Sequence, residues 1–296
     1  MNHLWGAIEA GGTKFVCAVG TGPDDLRDEV RFPTTTPSET LSKALEYFRG
    51  AQRRHGRLAA LGIGSFGPVD LDLSSPTWGF VTATPKPSWS NTPVAGVFAQ
   101  EFGVPVGFDT DVNGAVLAEH RWGAGQGLED LVYITVGTGI GAGVLAGGRL
   151  VHGMVHPEAG HFLLPRRADD TFEGNCPFHK GCFEGMAAGP ALEGRWGVKG
   201  SELGADHPAW ELEAHYLAVG LQVFLTVVSP SRIILGGGVM EQTQLFPLVR
   251  RNLAELNNSY IRHPRLNADD YIVPPGLGNR AGILGALALA EAAAKD

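Results

Sequence analysis

Short apolar blocks separated by glycine-rich breaks run along the chain, and each block predicts one element. Residues 4–10 are apolar, Gly11-Gly12-Thr13-Lys14 interrupts them, and residues 15–19 resume the run, which reads as a strand–turn–strand hairpin. A third strand is expected over 27–32. Leu41, Leu45 and Phe48 recur at helical spacing, so 37–54 reads as a helix with Ser38 as its N-cap. A strand over 58–64 breaks into Gly-Ser-Phe-Gly-Pro-Val-Asp, the kind of loop where ligands of α/β sheets collect. The prolines of Thr84-Pro85-Lys86-Pro87-Ser88-Trp89 exclude regular structure there, leaving an ordered loop with Trp89 either as a ligand wall or as core. A helix over 92–102 and a strand over 104–108 follow.

The second half repeats the theme. A helix begins near Asp111, with Val112, Ala115, Val116 and Trp122 on its buried side. Residues 131–136 form a strand that ends in Gly137-Thr138-Gly139-Ile140-Gly141-Ala142-Gly143. A dinucleotide fingerprint would open a helix here. This run leads instead into a second apolar block, so it reads as another hairpin with a glycine turn. A long apolar helix over 208–228 is stopped by Pro230; a strand over 232–235 ends in Gly236-Gly237-Gly238, where backbone could lie against a flat purine. A helix over 244–256, a strand over 271–273 and a final helix over 279–294 complete the chain. Hairpin, helix, strand, helix, twice over, predicts two α/β lobes with a cleft between them.

Composition narrows the classes. Of 296 residues, 44% are hydrophobic and 18% charged, which suits a globular chain with a sizeable core. The net charge of −8 argues against a nucleic-acid or anionic-membrane partner. The uncharged stretch 131–148 is long enough to raise a membrane span, but five glycines between 137 and 147 speak against a continuous helix. The N-terminal residues show neither a basic region nor a long apolar run, so no leader is expected. Three cysteines, two of them placed for metal, point to a reducing, cytoplasmic setting, with Cys17 as a small buried hydrophobe.

Candidate chemistry centres on residues 156–184. Cys176, His179 and Cys182 form C-x2-H-x2-C, three zinc-type ligands within seven residues. A closed tetrahedral site needs a fourth, and His161 is preferred over His152 and His156. Buried thiols beside a surface histidine are the alternative. If metal fixes this segment, Glu158 and Glu184 are held near one another as acceptors suited to sugar hydroxyls; otherwise they are two solvated glutamates. Gly11, Gly12, Thr13 and Lys14 could cradle phosphate or make a plain hairpin turn. Asp111 either caps its helix or faces the cleft as a proton acceptor.

Taken together, EAGGTK, GIGSFGPVD, TDVN, GTGIGAG, HPEAGH, CPFHKGCFEG and LGGGV, in this order, resemble the ROK (repressor, open reading frame, kinase) family of sugar kinases, on the side of its zinc-containing bacterial fructokinases. The resemblance covers essentially the whole chain and implies an actin-like, hexokinase-type (ribonuclease H-like) two-lobe α/β fold with a structural zinc loop. It implies lobes of 1–112 with 280–296, and of 113–279. It implies transfer of the ATP γ-phosphoryl group to a hexose, with Mg²⁺ accompanying ATP, structural Zn²⁺, and a homodimer. Asp111 matches the catalytic base. Glu158, Glu184 and His161 match residues that hold the sugar, and His161, Cys176, His179 and Cys182 match the zinc ligands. Gly11 to Lys14, with Thr138 and Gly139, match the phosphate turns, while Pro230, Gly237 and the loop Gly278-Asn279-Arg280-Ala281-Gly282 match places where the nucleotide packs.

Two positions depart from the pattern. Glu9 stands where many relatives carry Asp, which implies a longer or water-mediated Mg²⁺ contact. Thr110 stands where glucose-type relatives carry Asn, which favours D-fructose, giving fructose 6-phosphate, over glucose, mannose or an N-acetylhexosamine. A non-catalytic sugar sensor and the DNA-binding repressors of the family are the remaining readings; the acidic charge argues against the repressors.

Overall fold

The computed structural model describes residues 3–295. In chain order the first elements are β1 (Trp5–Ala10), β2 (Lys14–Gly22), β3 (Asp25–Pro33), α1 (Pro37–His55), β4 (Ala60–Ser65), β5 (Phe80–Val81), β6 (Thr92–Pro93), α2 (Ala95–Phe102), β7 (Val106–Thr110) and α3 (Asp111–Trp122). There follow β8 (Leu131–Val136), β9 (Ile140–Ala146), β10 (Arg149–Leu150), α4 (Phe183–Ala187), α5 (Gly189–Trp196), α6 (Ala209–Val227), β11 (Arg232–Gly236), α7 (Leu245–Asn257), β12 (Ile272–Val273) and α8 (Ala281–Ala293). They divide into two compact units. The first runs to Gln126 and takes in Leu150–Pro157 and the chain from Asn279; the second comprises Gly127–Arg149 and Glu158–Gly278. A boundary at 112/113 would cut α3. The division falls at 126/127 instead, because α3 packs on α8 within the first unit through paired glycines: a Cβ on Gly285 would stand 2.4 Å from the Gly114 carbonyl carbon.

The first unit is built on a five-stranded sheet of order β3-β2-β1-β4-β7. β1, β2 and β3 form an antiparallel meander, and β4 and β7 run parallel to β1. β4 is buried along its whole length, as a strand covered on both faces must be. α8 covers it so closely that a Cβ on Gly62 would stand 1.9 Å from the Ala286 carbonyl oxygen. At the edge, β3 spends its length on charged residues that discourage pairing with another chain. α1 buries Leu41 and Phe48 as its spacing predicts, while Leu45 is half-buried and Ala44 is buried beside them. Its N-cap is Thr36, whose side chain accepts the Glu39 N–H, and not Ser38. Pro37 takes the first helical position, where its missing N–H costs nothing, and so the cap falls at Thr36, two residues before Ser38. Thr92 and Pro93, expected inside a helix, pair with β5 instead, and the helix starts at Ala95. Trp89 is fully buried against the rings of Phe15 and Phe66, with its indole N–H donating to the Thr35 carbonyl at 2.8 Å. It is core, with no face left for a ligand.

The second unit carries a five-stranded sheet of order β10-β9-β8-β11-β12. β9 is antiparallel to β8, while β11 and β12 continue it in parallel. This is the first sheet's order again: a hairpin, then parallel strands added on the other side. The run from Gly137 to Gly143 turns from β8 straight into β9, so it is a hairpin turn, as expected, and opens no helix. α4 and α5 have no counterpart in the sequence reading, since they are short and lie in a stretch interrupted by glycine and proline. No helix among the described residues is long and apolar enough to cross a membrane.

Candidate active site and metal cluster

Four side chains of the second unit converge. The ligand atoms of His161, Cys176, His179 and Cys182 all lie within 4.8 Å of one another. Cys176 Sγ is 3.7 Å from His161 Nδ1 and 3.8 Å from His179 Nδ1, and Cys182 Sγ is 3.6 Å from His161 Nδ1. A tetrahedral ion with Zn–S near 2.3 Å and Zn–N near 2.05 Å places S and N about 3.6 Å apart. The donors therefore fit zinc in both chemistry and spacing, and two thiols with two imidazoles leave no open position. The segment is pre-bent for this: Lys180 sits in the left-handed region (φ 49°) and its N–H donates to the Cys176 carbonyl at 3.0 Å. Without metal, burial holds the Cys182 thiol above its ordinary range, so ion binding must expel a proton there. His152 and His156 lie elsewhere, in the first unit.

The cluster fixes a carboxylate. Cys182 is the N-cap of α4, its sulfur accepting the Gly185 N–H at 3.4 Å, and Glu184 occupies the first turn. Glu184 Oε2 accepts the Ile140 N–H at 3.0 Å, directly after the turn Gly137-Thr138-Gly139. A Cβ on Gly139 would stand 2.6 Å from Glu184 Oε2, so a side chain there would push that carboxylate aside. The Glu184 N–H donates to Gly160 at 2.7 Å, and the His161 N–H to Glu158 at 3.0 Å. Glu158 is exposed as a residue, but partial desolvation of its carboxyl, with Glu184 nearby, raises it above its usual range. The two glutamates are thus held close to one another.

Beside this turn lies a cavity of about 430 Å³, walled by Thr138, Gly189, Pro190, Lys199, Gly238 and Gln242 among others. The Gly189 N–H donates to the Gly137 carbonyl at 2.8 Å, so the start of α5 is tied to the turn. Gly237, in the left-handed region at φ 90°, precedes the Gly238 wall. Pro230 is buried where α6 ends, and neither it nor Gly278 lines this cavity; Pro190 is the proline that does. Sequence reasoning missed the Gly189-Pro190 wall, although a proline directly after Ala187-Ala188-Gly189 was a readable helix start.

In the first unit, the β1–β2 turn is closed by the Gly11 N–H donating to the Lys14 carbonyl at 3.0 Å, and Thr34 Oγ1 donates to the Gly11 carbonyl at 2.6 Å. Nothing lies within 4 Å of where a Gly12 Cβ would stand, so the turn's apex is open; Thr13 and Lys14 are exposed. Burial pushes the Glu9 carboxyl up, with Lys14 and Arg31 opposing it. It rests on the first turn of α8, where a Cβ on Gly282 would stand 2.6 Å from Glu9 Cδ. Asn279 and Arg280 form the short 3₁₀ turn that leads through Ala281 into α8.

At the start of α3 the capping oxygen belongs to Thr110, which accepts the Asn113 N–H at 3.1 Å. Asp111 takes the first helical position, and its Oδ1 accepts the Val112 N–H at 2.9 Å. Its neighbour Asp109 is buried and saturated, with Oδ1 accepting from the Thr110 N–H and Asn113 Nδ2, each at 2.7 Å, and Oδ2 lying 2.7 Å from His152 Nε2. The Asp109 contact raises the His152 pKa against its burial. His156 Nε2 accepts the Val69 N–H at 3.0 Å, and burial lowers its pKa. This anchoring of 150–157 by two histidines was not read from the sequence, because both partners are more than 40 residues away.

Residues 5–293 match the ROK family, and the chain belongs to it. It is 49% identical over 292 residues to a protein of Bacillus subtilis (strain 168), covering 98% of this chain and 96% of the relative. It is 48% identical over 297 residues to a fructokinase of Zymomonas mobilis subsp. mobilis, covering 98% and 97%. Among solved structures it resembles the ROK hexokinase from Thermus thermophilus, with a TM-score of 0.81 and 29% identity over 99% of both chains. A ROK family glucokinase from Streptomyces griseus, solved with glucose and AMPPNP, gives a TM-score of 0.78 and 26% identity over 98% of this chain and 99% of that one.

Proposed function

We propose that this chain is a sugar kinase that transfers the γ-phosphoryl group of ATP to a hydroxyl of D-fructose, giving fructose 6-phosphate. The observation that carries the reading is the cluster His161, Cys176, His179 and Cys182 holding Glu184 against the β8–β9 turn, in a chain 48% identical to a fructokinase along nearly its whole length. Thr110, standing where glucose-type relatives carry Asn, favours fructose over glucose.

Phosphoryl transfer is mostly positioning and charge stabilisation. The open β1–β2 turn, Gly11 to Lys14, and the turn at Thr138 and Gly139 offer backbone N–H groups to phosphate oxygens. The cavity walled by Pro190, Gly238 and Gln242 takes the adenosine. Mg²⁺ enters with ATP as part of the substrate, and Glu9 is the oxygen donor on the first unit suited to it, directly or through water. Glu158 and Glu184 accept hydrogen bonds from sugar hydroxyls. His161 offers Nδ1 to the thiols, which leaves Nε2 for a further hydroxyl. Zinc, which His161, Cys176, His179 and Cys182 would hold, would supply rigidity to this loop and take no part in bond making. Asp111 accepts the proton of the attacking hydroxyl as its oxygen bonds to the γ-phosphorus and the bond to ADP breaks. At a helix N-terminus its negative charge is favoured, and a positioned base contributes roughly 10² to 10⁴-fold.

A coupled ADP-release assay with Mg-ATP and a panel of fructose, glucose, mannose and N-acetylhexosamines tests this. Fructose is expected to give the highest kcat/KM. Release that does not depend on any hexose would reject the kinase reading, and preference for another sugar would reject the acceptor. The chain's three free thiols suit a reducing, cytoplasmic setting, and a homodimer is expected by size-exclusion chromatography with light scattering.

A further inference from the structure

The zinc loop between His161 and Cys176 carries a second anchor with no metal in it. Asp170 is buried, and its carboxylate gathers the Tyr216 hydroxyl at 2.6 Å, the Phe172 N–H at 3.0 Å and Arg195 Nη2 at 3.3 Å. Burial opposes a charge there, yet these donors together hold the carboxyl below its usual range. The same Arg195 nitrogen donates to the Met186 carbonyl of α4 at 3.1 Å. The guanidinium carbon lies 4.5 Å from the Phe172 ring centre and 5.4 Å from that of Tyr216. Tyr216 Oη also accepts the Arg167 N–H at 3.2 Å. Glu213, fully buried near Arg195, is held well above the usual carboxyl range by that burial, so Asp170 is the arginine's counter-ion. One guanidinium thus touches the loop, α4 and α6.

Arg195 stands in the last turn of α5. The other end of that helix, Gly189 and Pro190, walls the cavity beside the β8–β9 turn, and Gly189 is bonded to Gly137. Eight residues at 1.5 Å rise make a rod of roughly 12 Å. With its C-terminal end clamped and its N-terminal end tied to the turn, α5 has one place to stand. We propose that Arg195, through its contact with Asp170, is a positioning residue for the nucleotide: it clamps α5 so that Gly189 and Pro190 present a preformed wall to the purine side of ATP. The inference rests on the kinase reading for the identity of the cavity's occupant.

Direct binding of Mg-ADP, read by titration calorimetry, tests it without relying on turnover. In Arg195→Met, the Kd for Mg-ADP should rise about tenfold or more, while the Kd for D-fructose stays within about twofold and zinc stays near one per chain. In Asp170→Asn, which keeps part of the loop's hydrogen bonding, the rise should be smaller and in the same direction. A zinc-loaded, folded Arg195→Met chain with wild-type Mg-ADP affinity overturns the proposal. So does equal weakening of both ligands, which marks a general loss of structure. Should Arg195→Met fail to fold, Tyr216→Phe decides: it removes one hydroxyl from Asp170, and unchanged Mg-ADP affinity there overturns the proposal. Wild-type chain that binds Mg-ADP, loses it on Arg195→Met, and phosphorylates no hexose would sink the kinase reading while leaving this one standing.

Discussion

Glu184 Oε2 accepts the backbone N–H of Ile140 at 3.0 Å, which ties a carboxylate on α4, the helix capped by Cys182 of the His/Cys cluster, to the glycine turn of the β8–β9 hairpin. Through Cys182, the N-cap of that helix, the metal cluster sets where the turn stands. Metal removal should therefore reach the ligand sites without touching the reacting atoms. Chelation, or Cys176→Ser, should lower Tm and raise the KM for sugar several-fold, with kcat at saturation changing much less. Metal analysis should find about one zinc per untreated chain. An untreated chain free of zinc with full activity would contradict this.

Asp111, proposed above as the proton acceptor, is not needed as a cap, since Thr110 caps α3. Asp111→Asn should fold and bind hexose normally but lose at least about a hundredfold in kcat. Steady-state kinetics beside calorimetric sugar binding separate the two quantities, and near-normal turnover would remove Asp111 from its role.

In the proposed role, Glu158 would trade stability for a sugar contact. Its carboxyl is raised by partial desolvation and by Glu184. A raised carboxyl means that the folded chain holds the proton more tightly than the unfolded chain, so stability falls as pH rises from the ordinary carboxylate range through the raised value. Glu158→Gln removes that cost. Above the raised value the variant should melt higher than wild type; below it the two should converge. Its KM for hexose should rise about tenfold or more, because a charged acceptor is lost. Thermal melts across pH check the first half and kinetics the second.

His152 has the opposite dependence. Its pKa is raised by Asp109, so the contact's stabilisation is full below the ordinary histidine value of about 6.5 and is lost as pH climbs through the raised one. The Tm gap between wild type and His152→Gln should be widest near about pH 5.5 and close toward alkaline pH. A gap that widens with pH would show that the contact does not stabilise through the charged imidazole.

Gly62 tests the packing of α8 on β4. A Cβ there meets the Ala286 carbonyl oxygen at 1.9 Å, a backbone atom that cannot swing aside. Gly62→Ala should cost at least about 1–3 kcal/mol by overpacking, read from denaturant melts.

Much of this was legible locally. Both hairpins, the amphipathic α1 and the C-x2-H-x2-C spacing follow from residues within a few positions of one another, where period and ligand spacing are readable. Their boundaries slipped where a single residue decides, as when Pro37 moved the cap of α1 to Thr36. The split at 126/127 was not legible, because it depends on Gly114 meeting Gly285, 171 positions away (285 − 114).

By itself the chain determined which residue types could do chemistry: two thiols and two imidazoles for a metal, two glutamates beside them, and an aspartate opening a helix. Only the tertiary structure decided which of them meet. It set His161, the histidine already preferred from the sequence, against both sulfurs and sent His152 to Asp109. It buried Trp89 and set Arg195 against Asp170. Spacing along a chain constrains near neighbours through helix and strand geometry, whereas contacts between distant residues are settled by how whole elements pack, which no local pattern records.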